Sequence, residues 1–175
     1  EVKCSDSLYE VVKKIGGRAI MWKTGHSFIK EKLKKENADI AGEMSGHIFF
    51  KDRYFGYDDA IYASVRLLEI LVHQNKKVSD LISDFPKYFS TPEIRVDFDD
   101  KEKFNVVHKL KEIFSKKYSL ISIDGIRIQF GDGWGLVRPS NTQPVLVLRF
   151  EARTKNRLLE IQKEVETALK EVSTP

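Results

Sequence analysis

Apolar and polar residues alternate along this chain in two different rhythms. Between Ser5 and Gly17, Leu8, Val11, Val12 and Ile15 recur at helical spacing between a Ser-Asp start and a Gly-Gly stop, which predicts a helix. The preceding "EVKC" reads as the stub of a strand. The apolar "RAIMW" that follows reads as a short strand leading into the loop "KTGHS". A second amphipathic helix is predicted over "FIKEKLKKEN", then an extended apolar segment from Asp39. The longest helical pattern is "DDAIYASVRLLEILVHQN", capped by Asp58 or Asp59, with a shorter helix in "VSDLISDF". Helices alternating with short apolar strands predict a βαβ layer with a parallel sheet.

The rhythm changes between Pro86 and Pro92. Residues 93–98 alternate as a strand does, and "KEKFNVVHKLKEIFSKKY" predicts a helix. Three strand-like runs follow closely: "LISIDGIRIQF", "GWGLVRPS" and "PVLVLRFEA", with "GDGWG" as a hairpin turn between two of them. A final amphipathic helix is expected from Thr154 to about Val172. The expected organisation is therefore an α/β domain over 1–86 and an α+β domain with an antiparallel sheet over 87–175.

Composition limits what these domains can be. With 41% hydrophobic and 32% charged residues in 175, the chain is globular and large enough for one large or two small cores. No apolar run approaches the roughly 18 residues of a membrane-spanning helix. Nor does the N-terminus resemble a secretory signal, and the single Cys4 excludes an internal disulfide, so a reducing cytoplasm is the expected location. The net charge of +4 comes from 30 basic residues interspersed with 26 acidic ones. Signs alternate along "HSFIKEKLKKENAD" as on a solvated helix face, which argues against a nucleic-acid partner and for a modest field that attracts small anions.

Two polar stretches interrupt the apolar pattern where chemistry would sit. In "GEMSGH", the glycines allow a tight backbone path and leave Glu43 and Ser45 on the same side of an extended segment. A carboxylate that accepts hydrogen bonds from vicinal hydroxyls is one way to hold a sugar; a Glu capping a neighbouring helix is the alternative. In "RPSNTQP", Arg138 offers a forked cationic donor, Ser140 and Thr142 hydroxyls and Asn141 an amide, in a loop stiffened by two prolines. Such donors could form a phosphate nest, or the turn could need Asn and Pro for its geometry alone. His26 falls at the carboxyl end of the "RAIMW" strand, the edge where open α/β sheets bind ligands, and Lys3 ends the preceding stub. Walker, dinucleotide, CxxC and HExxH patterns are absent, and Cys4 reads as structural.

Taken in order, "VKCS", "MWKTGHS", "GEMSGHIFFKDRYFGYDDAIYASVRLLEIL" and "GLVRPSNTQPVLVLRFEAR" resemble the C-terminal half of the bacterial phosphomannomutase/phosphoglucomutase family, within the α-D-phosphohexomutase superfamily. The resemblance implies a Rossmann-like third domain, N-terminally truncated, up to about residue 86, and a TATA-binding-protein-like fourth domain after it. It also implies roles. Glu43 and Ser45 would bind the 3- and 4-hydroxyls of a phosphosugar, His26 and Lys3 would contact the same substrate, and Arg138, Ser140, Asn141 and Thr142 would hold its non-reacting phosphate.

The implied parent reaction interconverts hexose 1-phosphate and 6-phosphate through a phosphoserine and a bisphosphorylated sugar, with Mg²⁺ as cofactor and glucose 1,6-bisphosphate as intermediate or activator. The family's TASHNP-like serine loop and DGDxDR-like metal loop do not occur in this sequence. The chain is accordingly expected to be a C-terminal fragment, inactive alone, whose partners are the missing domains, and no metal ligand is assigned within it. Met44 and Asn141 side with the mannose/glucose branch, where phosphoglucosamine mutases tend to have Gln and Gly; Gln143 departs from the commoner Thr. A phosphoglucosamine mutase, a dedicated phosphoglucomutase and a non-catalytic anion-binding module remain the alternatives.

Overall fold

The computed structural model describes residues 1–173. Its contacts divide the chain into a unit Glu1–Pro86 and a second that begins at Lys87.

The first unit contains α1 (Asp6–Lys14), α2 (His26–Lys35), β1 (Ile40–Gly42), β2 (Ile48–Phe50), α3 (Ala60–Gln74) and α4 (Val78–Leu81). Helix α1 starts where its sequence predicts, with the Ser5 side chain accepting from Ser7 N–H at 3.1 Å. Helix α2 starts two residues earlier than "FIKEKLKKEN" suggests. Gly25 takes the N-cap at φ 125°, a backbone conformation that a side chain would strain, so His26 is the first helical residue.

The predicted parallel sheet is not formed among the described residues of this unit. Residues 1–4 turn and 18–22 run outside any β-ladder, although Val2 N–H donates to Trp22 O at 3.0 Å between them. The sheet that does form is the antiparallel pair β1–β2, in the register Ile40↔Phe50, Ala41↔Phe49, Gly42↔Ile48. The core here is small: Ile29, Leu33 and Phe49, with Trp22, Ala38 and Ala41 against them. Beside it lies a cavity of about 390 Å³ lined largely by apolar side chains, among them Leu8, Val12, Ile20 and Ile48.

Helix α3 shows where propensity and packing part. Its apolar residues Ile61, Val65, Leu68 and Val72 lie at i, i+4, i+7 and i+11, one stripe of the helix, yet all four are exposed. The helix is held at its start instead. Asp59 is the N-cap, accepting from Tyr62 N–H at 2.8 Å and Tyr54 O–H at 2.6 Å. The Tyr54 hydroxyl first, and then the Tyr62 amide, hold the Asp59 carboxyl below the usual carboxylate range. A carboxyl depressed by folding adds stability above its unfolded value near 3.9, and this is lost as pH falls through the depressed value. Asp59→Asn keeps an acceptor but not the charge. The difference in Tm between wild type and variant is therefore expected to be largest near neutrality and to shrink towards about pH 3; a difference constant with pH would rule the linkage out.

The second unit contains β3 (Phe89–Ser90), β4 (Ile94–Asp97), α5 (Lys103–Phe114), β5 (Ser119–Ile121), β6 (Ile126–Gln129), β7 (Gly133–Pro139), β8 (Val145–Ala152) and α6 (Lys155–Ser173). The sheet order is β3-β8-β7-β6-β5, with β4 also pairing β8, and every pairing is antiparallel. Helices α5 and α6 pack on this sheet. Val106, Leu110 and Phe114 from α5 and Leu158, Ile161 and Val165 from α6 bury their side chains against Ile126, Ile128, Val137 and Phe150. The run "LISIDGIRIQF" is two strands, not one. Gly125 turns the chain between β5 and β6 at φ 72°, and a Cβ there would stand 2.4 Å from Val137 O, so β-propensity on either side cannot carry the strand through.

Candidate functional site

The segment "GEMSGH" forms the turn between β1 and β2, not an extended strand. Gly46 N–H donates to Glu43 O at 3.0 Å and Glu43 N–H to His47 O at 2.9 Å, which closes a tight loop. Glu43 and Ser45 are brought together by this turn, with Ser45 O–H donating to Glu43 Oε2 at 3.3 Å. Glu43 Oε1 accepts from Gly25 N–H at 2.9 Å, at the N-terminus of α2. The helix-capping alternative is thus realised for one oxygen. A carboxylate offers about four lone-pair positions, so capacity remains for hydroxyls of a ligand.

Three sequence-distant segments meet here, and Glu1 ties them. This buried carboxylate accepts from Lys3 N–H at 3.1 Å, Thr24 O–H at 2.6 Å and Met44 N–H at 3.1 Å. The turn carrying Lys3, the loop before His26 and the loop carrying Glu43 are thereby held to one carboxylate. Lys3 itself is buried.

The sequence marks His47 as part of the polar GEMSGH cluster and Asp58 as a possible helix cap, but does not bring the two together as one site. His26 Nε2 and His47 Nδ1 are 3.2 Å apart, and Asp58 Oδ2 lies 3.1 Å from the first and 2.7 Å from the second. A signal was present in the Asp58-Asp59 pair: a helix has one N-cap, Asp59 fills it, and the neighbouring carboxylate is left for another purpose.

In the second unit, "RPSNTQP" connects β7 to β8. Arg138 sits on β7 opposite Val147, and its Nε donates to Asp124 Oδ2 at 2.7 Å. Arg138 is buried, and its two terminal guanidinium nitrogens have no protein acceptor among the described residues, so Asp124 orients the fork and leaves both nitrogens able to donate to a ligand. Ser140 is buried and its oxygen accepts from Thr142 N–H at 3.3 Å and Gln143 N–H at 3.2 Å. Its first task is to shape the turn, and its hydroxyl proton is what it can still give a ligand. Asn141 and Thr142 are exposed at the tip.

Lys103 underlies this loop, a residue that reads as ordinary helix surface in the sequence. It is buried, and its ammonium donates to Ser140 O at 2.5 Å, Gln143 O at 3.0 Å and Asp100 Oδ1 at 2.5 Å. Lys103→Met would leave the carbonyl of buried Ser140 without its donor, whereas Gln143 O keeps Val145 N–H and Asp100, 71% exposed, returns to water; the expected cost is about 1–3 kcal/mol in urea unfolding. Amide exchange at Ser140 should accelerate with it, since that N–H closes the loop on Val145 O at 3.0 Å. Unchanged exchange at Ser140 would show that the loop holds its shape without the lysine.

Mg²⁺ prefers near-octahedral oxygen donors. Among the described residues, the cluster able to hold a metal ion is His26, His47 and Asp58, two imidazoles and one carboxylate, which does not suit it. No residue of this chain is therefore assigned to Mg²⁺.

Residues 1–89 match the family described as phosphoglucomutase/phosphomannomutase, alpha/beta/alpha domain III, and residues 93–168 match its C-terminal domain. The chain is 50% identical over 174 residues to the phosphomannomutase/phosphoglucomutase of Pseudomonas syringae, covering 99% of this chain and 37% of that protein. It therefore spans a little over a third of the length of such relatives. The crystal structure of a phosphoglucomutase/phosphomannomutase family protein from Burkholderia thailandensis superposes with a TM-score of 0.87 at 43% identity, over 98% of this chain and 36% of that one. An Aspergillus fumigatus N-acetylphosphoglucosamine mutase in complex with glucose 1,6-bisphosphate shares the fold alone, with a TM-score of 0.69 at 13% identity over 99% of this chain and 38% of that one.

Proposed function

Because the chain belongs to the phosphoglucomutase/phosphomannomutase family, we propose that it is the sugar- and phosphate-binding part of a phosphohexomutase, which interconverts the 1- and 6-phosphates of glucose and mannose. Residues 1–86 supply the ring clamp and residues 87–175 the phosphate loop. The observation that carries this reading is the Glu43–Ser45 turn, whose carboxylate is fixed by Gly25 yet keeps acceptor capacity towards hydroxyls. Lys3 and His26 belong to the same group of loops and would contact the same ligand.

Arg138 binds the phosphate that does not react, through the two nitrogens Asp124 leaves open, with Ser140, Asn141 and Thr142 completing the donor set. Recognition of ring hydroxyls midway between C1 and C6 suits a reaction in which a bisphosphorylated sugar such as glucose 1,6-bisphosphate turns over. In both orientations Glu43 can accept from the same vicinal pair. The phosphoserine and Mg²⁺ of the reaction belong to loops outside this sequence. The exposed α3 stripe supports packing against further domains of such an enzyme. No helix among the described residues is long and apolar enough to cross a membrane, and a cytoplasmic location fits a phosphosugar substrate.

The test is a coupled assay of a protein that includes this chain and spans its relatives' full length, with mannose, glucose and glucosamine phosphates. Turnover of the first two and not the third is expected; preference for glucosamine phosphate would move the protein to another branch. The 175-residue chain alone is expected to bind hexose phosphates but not to interconvert them, with or without Mg²⁺ and bisphosphate, because positioning and charge neutralisation carry phosphoryl transfer and its carrier serine is lacking. Measured interconversion by the purified chain would overturn that division of labour.

A further inference from the structure

We propose that Gln143 is a further phosphate-binding residue of the β7–β8 loop, and that Arg95, which touches no ligand itself, holds the Gln143 amide in its donating orientation. Gln143 stands where the family more commonly has Thr, and the donor set of Arg138, Ser140, Asn141 and Thr142 leaves it without a role.

The backbone of Gln143 is fixed on both sides. Its N–H donates to Ser140 Oγ at 3.2 Å, and its carbonyl accepts from Val145 N–H at 2.8 Å and from Lys103 Nζ at 3.0 Å. The exposed side chain is placed by Arg95 on β4. Arg95 Nη1 donates to Gln143 Oε1 at 2.9 Å, while Arg95 Nε and Nη2 are held by Glu93 Oε1 at 3.0 and 2.9 Å. A guanidinium has donors and no acceptor, so the amide oxygen is the atom that faces it. The amide NH₂ is left over, with no acceptor among the described residues. It is a donor, and the chain of bonds from Glu93 through Arg95 to the amide oxygen strengthens it by polarisation.

The strand register brings this pair to the phosphate site. Val147 on β8 lies opposite Arg138 on β7 and opposite Arg95 on β4, and directly opposed residues share a sheet face. The two arginines therefore stand on one face, with Cα atoms roughly 10 Å apart across three strands. An anion on the Arg138 fork meets the Gln143 amide from the β4 side. The commoner Thr, with a shorter side chain and one oxygen for both tasks, would not join Arg95 to the ligand in this way.

The inference rests on the reading of this loop as the phosphate site, and the experiment separates the two. Inorganic phosphate is titrated calorimetrically into the 175-residue chain at about 0.15 M salt, where the field of a distant exposed charge is screened. Gln143→Met is expected to weaken binding about tenfold and Arg95→Met about threefold. The double variant should bind no more weakly than Gln143→Met, because Arg95 acts only through that amide. Additive losses would show that Arg95 acts by its own charge, and would overturn its positioning role. In nitrogen-resolved NMR of the wild type, phosphate should shift the side-chain NH₂ signals of Gln143 and spare those of Gln74 and Gln162, a readout that depends on no variant's fold. Unmoved Gln143 signals, or a Gln143→Met affinity equal to wild type while Arg138→Ala weakens phosphate, overturn this inference and leave the loop reading standing. Absence of saturable phosphate binding up to about 100 mM overturns both.

Discussion

Arg138→Ala is expected to weaken the binding of glucose 6-phosphate, mannose 6-phosphate and inorganic phosphate alike, by about a hundredfold. The guanidinium is held through Nε by Asp124, and its two remaining nitrogens have no protein acceptor among the described residues. A phosphate meeting that fork gains two charge-assisted hydrogen bonds, each worth roughly 1.5–3 kcal/mol, and about 2.7 kcal/mol corresponds to a hundredfold in affinity. Arg138→Lys keeps the charge but loses the fork, so it should recover only part of the loss. Asp124→Asn should weaken binding less than Arg138→Ala, because the donor remains and only its orientation is loosened. Calorimetry with the three ligands measures this. If Arg138→Ala weakened the sugars but spared inorganic phosphate, the residue would be reading the ring.

Glu43→Gln is expected to lower kcat/KM for glucose and mannose phosphates equally, by about tenfold to a hundredfold, in the enzyme that contains this chain. One carboxylate oxygen accepts from Gly25 N–H and the other from Ser45 O–H. An amide has a single oxygen, so in the variant the helix N-terminus and the sugar would compete for it. Glucose and mannose differ at C2, whereas galactose inverts C4. A clamp that reads O3 and O4 should accept the first two sugars and reject the third by a similar factor. Comparable kcat/KM for galactose 1-phosphate and glucose 1-phosphate would disprove the assignment of Glu43 and Ser45 to those hydroxyls.

Much of this was legible in the residues. Helix α1 was marked by Ser5 and a Gly-Gly stop, α6 by an uninterrupted amphipathic repeat, and the β7–β8 connection by two prolines around polar donors. These are local signals, set by capping, periodicity and turn chemistry over a few residues, and so survive without tertiary context. The motifs "GEMSGH" and "RPSNTQP" were equally visible, because polar groups amid apolar strands demand partners.

Other features depended on which segments meet. The stub "EVKC" and the run "RAIMW" have strand composition, but a strand exists only as a ladder, and neither segment belongs to one. Helix α3 carries a core-like stripe, yet burial is a property of neighbours, and here it remains exposed. His47 and Asp58 are eleven residues apart, with Phe49 and a run of aromatics between them, and nothing in their spacing says that both meet His26. Glu1 and Lys103 look like ordinary charges at a terminus and on a helix. Only the fold shows that one ties three loops together and that the other holds the carbonyls of the β7–β8 loop. The sequence by itself determined the family, the helices and the chemical type of each polar loop. The tertiary structure decided which charges are buried and paired, since the cost of desolvating a charge, and the partner that offsets it, come into being only when distant segments close around it.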